Sequence, residues 1–482
     1  MIDLRPVGYV IGWLVAAFGV SMLAPLLADV ALDAEPQMIF AYTAIVVTLS
    51  GAAMTLACAN AEVRSLTVQQ SFLFTCGIWV VFPIFGAVPF VLGAPGASWV
   101  DALFESMSAL TTTGSTVFVR LDELPPGTLL WRGMMQWFGG LGIIVVAIVF
   151  LPTLKVGGMQ FFRSEAFDTL GKILPRATEI ATSLTGIYLL STVGCIAGYL
   201  WTGMTPFDAL VHGFSTVSTG GMANYDESFA RFGVGAQWVA IVFMLLAALP
   251  FVRYIQLAAG SARPLLTDSQ VRAFLVIIAV FTLLILWRLM VDDAMPFGAA
   301  LRHAVFNVVS VVSGTGFAST DYGAWGTFAV ALFFVLGLIG GCSGSTACSV
   351  KVFRYQLLYS AVVAEVRRLH SPNRVIVPRY QGRPVDDETM SSVMAFFMLF
   401  YLSLGVLTVL LVLLGLQPLT ALSAAATALA NIGPGLGPEV GPAGNFAGLN
   451  DAAKAVLTWA MLLGRLELLS VLVILTPAFW RA

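Results

Sequence analysis

The chain has 482 residues, of which 59% are hydrophobic and 10% charged, with a formal net charge of −2. Soluble domains carry about 25% charged residues, so these figures exclude an ordinary soluble globule, and they supply no basic surface for nucleic acid. They predict an all-α polytopic membrane protein with no soluble domain left over, since the longest polar run, Arg367–Glu388, is too short to fold alone.

The first apolar run, Gly8–Leu32, is too long for a signal-peptide core and has no clear cleavage site, so it reads as a retained helix. Long apolar helices follow in order over 8–30, 37–60, 68–93, 128–154, 178–203, 233–258, 271–291, 325–360, 391–416 and 451–479. Shorter apolar runs lie between some of them, near 101–113, 206–219, 301–314 and 419–431. These cannot cross a bilayer, but they fit re-entrant half-helices.

Positive charge marks the cytoplasmic side. Arg5, Arg64, Lys155, Arg163, Lys172, Arg176, Arg253, Arg263, Arg272, Lys351, Arg354, Arg367, Arg368, Arg374, Arg379, Arg383 and Arg481 gather on one side. Arg120, Arg132, Arg231, Arg288, Arg302 and Lys454 lie toward the other. Both termini are then cytoplasmic and the short apolar runs open outward. Asp122, Glu123, Asp226, Glu227, Asp321 and Glu439 follow those runs. They are either ordinary loop acids or a means of concentrating cations at an outer mouth.

Four stretches align without gaps: Asp101–Gly114 (DALFESMSALTTTG), Asp208–Gly221 (DALVHGFSTVSTGG), His303–Gly316 (HAVFNVVSVVSGTG) and Thr420–Gly433 (TALSAAATALANIG). Each is an apolar half-helix running into a polar turn that ends in Gly, with a long helix on either side. The units divide as 66–176, 177–266, 267–386 and 387–482. An irregular polar turn at membrane depth leaves carbonyls unpaired, which is tolerated where they line a water- or ion-filled path. Four such turns around one axis give rings of carbonyls that replace the hydration shell of a cation. The turns hold no Asp or Glu before the glycine, which favours a monovalent ion. The bland reading of any one turn is a close contact between small residues of neighbouring helices.

On the motifs TTTGS (Thr111–Ser115), STGGM (Ser218–Met222), SGTGF (Ser313–Phe317), NIGPGLG (Asn431–Gly437), WRGMMQWFGGLGI (Trp131–Ile143) and GLIGGCSGSTA (Gly337–Ala347), the chain resembles the Trk/Ktr/HKT superfamily of potassium transporters, most closely its bacterial Trk branch. The resemblance covers essentially the whole chain, and residues 1–65 match the extra N-terminal helix pair of that branch. It implies a K+ filter made by Thr112, Thr113 and Gly114; Thr219, Gly220 and Gly221; Gly314, Thr315 and Gly316; and Asn431, Ile432 and Gly433. Backbone carbonyls, rather than side chains, would hold the ion. Gly at all four final positions goes with K+ preference in this superfamily.

Two further features resemble gates. Gly340, Gly341, Cys342, Ser343, Gly344, Ser345, Thr346 and Ala347, running on to Ser349, interrupt the long helix after the third turn. Such a run of small and polar residues cannot continue a lipid-facing helix and faces protein or water. The resemblance makes it an intramembrane gating loop below the filter, although Cys348 and Ser349 stand where relatives often carry glycines. A packing site of small residues is the plainer alternative. Arg465 lies in the middle of the last predicted span, where a charge is costly and faces a cavity or a partner. Glu467, two residues on, sits on another helix face. The resemblance places Arg465 in the pore; a structural ion pair elsewhere in the bundle is the alternative.

No titratable cluster suggests an enzyme or a resident metal. His212 and His303 fall in the short helices and His370 in a cytoplasmic loop, and the five cysteines lack metal-ligand spacing. Gly139, Gly140 and Gly142 are read as helix-packing residues, and no nucleotide-binding P-loop is present. The expected function is K+ uptake across a bacterial cytoplasmic membrane, with K+ as the transported ion and no organic cofactor. The resemblance implies contact with membrane lipid, a homodimer, and a cytoplasmic nucleotide-binding regulatory ring docked near Lys351–Arg383. The alternatives are the membrane subunit of a K+-pumping P-type ATPase complex and Na+/K+ cotransport.

Overall fold

The structure is a computed structural model that describes residues 2–34, 38–61, 66–146, 177–373 and 376–481. The expectations for Arg64, Lys155, Arg163, Lys172, Arg176, Arg374 and the end of the 128–154 helix lie outside these residues.

The described residues are almost entirely helical, apart from a two-stranded hairpin that pairs Arg379–Tyr380 with Arg383–Pro384. Among the described residues six helices are long and apolar enough to cross a membrane: Arg5–Ala31, Met38–Ala57, Val68–Leu92, Glu179–Trp201, Ser269–Val291 and Asp387–Leu413. The first and second pack face to face. Side chains at Gly12, Gly19 or Gly51 would strike the opposing backbone, so these glycines set how closely the two axes approach.

Two of the long helices expected from the sequence are sharply bent, and a third is interrupted at the run of small and polar residues where the sequence indicated a break. The 233–258 segment turns by 91° between Val234–Ala247 and Phe251–Ala258, where Pro250 removes a backbone donor. The 451–479 segment turns by 107° between Asp451–Arg465 and Leu468–Leu475, pivoting on Glu467 at φ 60°. The 325–360 segment stops at Ile339 and resumes at Val352, and the intervening Gly340 has φ 79°. Apolar content marks the first two stretches as membrane-embedded but is blind to bends made by single residues.

The four short helices are Trp99–Leu110, Pro206–Val217, Phe297–Ser313 and Pro418–Ala430. Their starts are fixed locally. Ser98 and Thr205 accept the backbone N–H groups of Asp101 and Asp208, both at 3.1 Å, and Pro206 and Pro418 occupy the first helical turn. Each short helix packs between the helices that precede and follow it. The contacts also run around a circle. The helix leaving the first unit (Pro126–Val145) packs on the second short helix, and Val234–Ala247 packs on the third. Thr327–Ile339 packs on the fourth, and Asp451–Arg465 packs back on the first.

Candidate functional site

The four short helices end the same way. The third-from-last residue of each aligned stretch is left-handed: Thr112 (φ 51°), Thr219 (51°), Gly314 (78°) and Asn431 (51°). The final glycine is left-handed too, at 86°, 78°, 82° and 107° for Gly114, Gly221, Gly316 and Gly433. The residue between them is not. A left-handed residue followed by an ordinary one and another left-handed one swings successive carbonyls toward one side of the chain, which an L-residue helix or strand does not do. Non-glycine residues at the first of these positions carry a strain of the order of 1 kcal/mol, which Asn tolerates best.

The turns are tied back to their own helices at one shared point. The N–H of Thr113 donates to Ser108 O (2.9 Å), that of Gly220 to Ser215 O (2.8 Å), that of Thr315 to Ser310 O (2.9 Å) and that of Ile432 to Thr427 O (3.1 Å). The donors are thus used inside the protein. Among the described residues, the carbonyls of Thr113, Thr315 and Ile432 receive no hydrogen bond, whereas Gly220 O receives Gln136 Nε2 at 2.6 Å.

The turns also meet one another in cyclic order. A Cβ on Gly114 would overlap the carbonyl oxygen of Gly220, one on Gly221 that of Thr315, and one on Gly316 that of Ile432. A Cβ on Gly433 would come within 2.9 Å of Thr113 O, which closes the ring. Hydrogen does what no larger side chain would do at all four places. Gly114, Gly221, Gly316 and Gly433 share the floor of a single cavity of about 250 Å³. Its walls include Asp226, which accepts the N–H groups of Arg120 (2.8 Å) and Leu121 (3.3 Å). Asp226 therefore fastens the loops of two units together as well as lining the cavity.

The twelve turn residues singled out in the sequence are thus brought together. So are the loop and Arg465. Residues 340–351 dock on the bend at 247–251. Cys342 N and Thr346 N donate to Ala248 O (3.1 Å) and Ala247 O (3.3 Å), and Gly344 O accepts Phe251 N (2.9 Å). Ser345 Oγ donates to Cys342 O (2.6 Å), and Ser343 N donates to Gln270 Oε1 (2.9 Å). Gly341 O accepts Val352 N where the helix restarts (3.0 Å). Further along the loop Cys348 approaches the turns: its Sγ is 3.8 Å from Thr112 Oγ1. Arg465 is 4% exposed, and its Nη1 donates to Thr346 O (3.5 Å) and to Cys348 Sγ. Among the described residues its Nε and Nη2 find no hydrogen-bond partner and it makes no ion pair, and its guanidinium sits 5.6 Å from the Trp79 ring.

Glu467 belongs elsewhere. Its carboxylate pairs with Arg354 Nη2 and lies 3.8 Å from Lys351 Nζ, joining the end of the loop to the bend of the last helix. Arg354 also stacks over Phe396 at 3.7 Å. Lys351 and Arg354 are therefore buried and do not belong to a cytoplasmic docking face; among the described residues of that segment Arg367, Arg368, Arg379 and Arg383 are exposed. Of the outward charges, Arg132 is 1% exposed and paired with Glu105 (2.7 Å), and Lys454 is buried against Asp101 (2.6 Å). Gly139 and Gly140 do admit close packing, against Leu110 O and against Ser218 and Tyr188, while Gly142 has room to spare.

Glu105, Gln136 and Asn307 escaped the reading of the sequence. Gln136 bridges Gly220 O and Met222 N. Asn431 Nδ2, noticed only for its backbone, donates to Thr113 Oγ1 (2.8 Å) and Met461 O (2.9 Å). A carboxylate inside an apolar half-helix was the visible signal for Glu105.

The TrkH family profile, described as a cation transport protein, matches residues 36–481. The Trk system potassium uptake protein TrkI of Halomonas elongata is 45% identical over 472 residues, covering 97% of this chain and 95% of that one. TrkG of Escherichia coli is 31% identical over 486 residues, covering 99% of each. The crystal structure of the potassium transporter TrkH from Vibrio parahaemolyticus superposes with a TM-score of 0.91 at 35% identity and covers 100% of both chains. On these matches the chain belongs to the TrkH family of cation transport proteins.

Proposed function

We propose that this protein takes up K+ across the bacterial cytoplasmic membrane through one pore on the axis of the four turns. The observation that carries this reading is the closed ring of final glycines and neighbouring carbonyls, Gly114 to Gly220, Gly221 to Thr315, Gly316 to Ile432 and Gly433 to Thr113. Units 66–176, 177–266, 267–386 and 387–482 each contribute one turn, with 1–65 as a flanking pair. Thr112–Gly114, Thr219–Gly221, Gly314–Gly316 and Asn431–Gly433 form the filter. Their carbonyls take the place of water around a dehydrated monovalent cation. The names of the relatives, potassium uptake proteins and a potassium transporter, point to K+ as that cation.

Gly340–Ala347, with Cys348, acts as the gate beneath the filter, and Arg465 holds it in place. A fixed guanidinium on the ion path also repels K+ until the loop moves. The cavity above the glycines is the outer entrance, and both termini face the cytoplasm. The protein works as a homodimer whose exposed Arg367, Arg368, Arg379 and Arg383 meet a cytoplasmic nucleotide-binding ring; an acidic partner surface suits them.

The test is K+ and Na+ flux into liposomes carrying the purified protein, wild type beside Gly316→Ser. A side chain at Gly316 collides with Ile432 O and needs φ 82°. Loss of K+ flux, or of preference over Na+, is the expected result. Wild-type flux and selectivity in this variant would reject the filter assignment.

A further inference from the structure

Three of the four short helices carry a polar side chain at one aligned place: Glu105, His212 and Asn307. All three are buried. They share neither charge nor shape, but each accepts a backbone N–H twelve residues further on. Val117 N donates to Glu105 Oε2 (2.9 Å), Asn224 N to His212 Nε2 (3.4 Å) and Ser319 N to Asn307 Oδ1 (3.2 Å). In the fourth unit the aligned residue is Ala424, which has no acceptor. The neighbouring Ser423 substitutes for it: Leu436 N donates to Ser423 Oγ at 3.0 Å. Val117, Asn224, Ser319 and Leu436 are each the third residue after the final glycine. The same backbone donor is therefore caught in all four units, by four different side chains.

These bonds join the short helix to the irregular segment that leads away from the turn, so they fix the separation of the two limbs around the carbonyls. Each brace is itself oriented. His212 Nδ1 bonds Asp208 O at 2.8 Å, which leaves Nε2 as the acceptor. Asn307 Nδ2 donates to His303 O and to Ser319 Oγ, both at 2.9 Å, which directs Oδ1 to the N–H. Glu105 also receives Thr116 Oγ1 (2.9 Å) and Arg132 Nε (2.7 Å), and Arg132 Nη1 reaches Ala223 O at 3.0 Å. The first brace thereby extends to the segment that follows the turn of the second unit. Polar side chains at this depth are costly unless they are fully used.

We propose that Glu105, His212, Asn307 and Ser423 are positioning residues that set the width of the carbonyl ring and hence its discrimination of K+ from Na+, acting through one backbone N–H per unit. The proposal rests on the transport reading above. A ring free to contract follows the smaller Na+; a ring braced from behind at four equivalent points does not.

The measurement is the ratio of K+ to Na+ flux in liposomes loaded with equal amounts of monodisperse protein. Ser423→Ala removes a single oxygen, and His212→Leu removes the acceptor while filling most of the volume. Both lower the ratio about tenfold, the scale of one buried hydrogen bond. His212→Gln retains an acceptor, and Asn307→His borrows the second unit's own solution; both stay within about threefold of wild type. A role confined to stability would lower yield and both fluxes together and leave the ratio alone. A wild-type ratio in Ser423→Ala overturns the proposal. Wild-type protein that passes no K+ overturns both this proposal and the transport reading, so the two failures are distinct.

Discussion

Arg465 and Cys348 are in direct contact, guanidinium to thiol, and the same sulfur faces Thr112 Oγ1 at 3.8 Å. One residue of the loop thus touches both the proposed filter and the cation beneath it. The remaining bond from Arg465 to the loop, to Thr346 O, is long at 3.5 Å. Arg465→Ala removes both contacts and the positive charge on the proposed ion path. The expected outcome is a rise in K+ flux of about tenfold in the absence of any regulator, the scale of a charged hydrogen bond. Cys348→Ala removes the thiol contact alone and should give a smaller rise. Flux equal to wild type in Arg465→Ala would reject the gating role.

Glu467 answers two buried cations, Arg354 and Lys351, across the joint between the loop and the last helix. Glu467→Gln removes the carboxylate charge that faces both, at a cost of about 3–5 kcal/mol. A clear fall in melting temperature in detergent is expected. Lys351 is the more distant partner, so Lys351→Met should cost much less, and should recover part of the loss when combined with Glu467→Gln. Equal melting of Glu467→Gln and wild type would show that this cluster holds nothing together.

Positive φ alone does not explain the repeated geometry of the turns, and two glycines separate the effects. Gly96 has φ 54° with nothing within reach of a Cβ, whereas Gly221 has φ 78° and faces Thr315 O. Gly96→Ala meets only the backbone term, about 1 kcal/mol, and should transport normally. Gly221→Ala meets the collision as well and should abolish K+ flux. If both variants behave alike in the flux assay, the close approach of the turns is not what the glycine is for.

What could be read from the sequence follows from what repeats. Half-helix, polar turn and glycine recur four times in register, and those turns do converge; Gly340–Ser349 was visible because no lipid-facing helix tolerates such a run. The braces were not visible, because Glu105, His212, Asn307 and Ser423 have in common only an acceptor atom and a backbone partner. A search for like residues passes over them. The bends were hidden for a related reason. Hydropathy averages over about 20 residues, while Pro250 and Glu467 redirect the chain at one. Arg354 and Lys351 counted toward a basic loop until their burial against Glu467 placed them inside.

Asn431 serves the fourth turn in two ways that substitution can separate. Its backbone is left-handed at φ 51°, and its side chain donates to Thr113 Oγ1 at 2.8 Å and Met461 O at 2.9 Å. The first bond ties the fourth turn to the first, and the second ties it to the helix that carries Arg465. Asn431→Gly keeps the backbone at ease and loses both bonds. Asn431→Ala loses the bonds and adds left-handed strain of about 1 kcal/mol. If the side chain matters most, both variants lose K+ preference over Na+ to a similar degree, and Asn431→Ala is only slightly less stable on heating. If the backbone matters most, Asn431→Gly transports like wild type and only Asn431→Ala fails. The two buried donor bonds lead to the first outcome, since Met461 O and Thr113 Oγ1 are left without this partner in either variant.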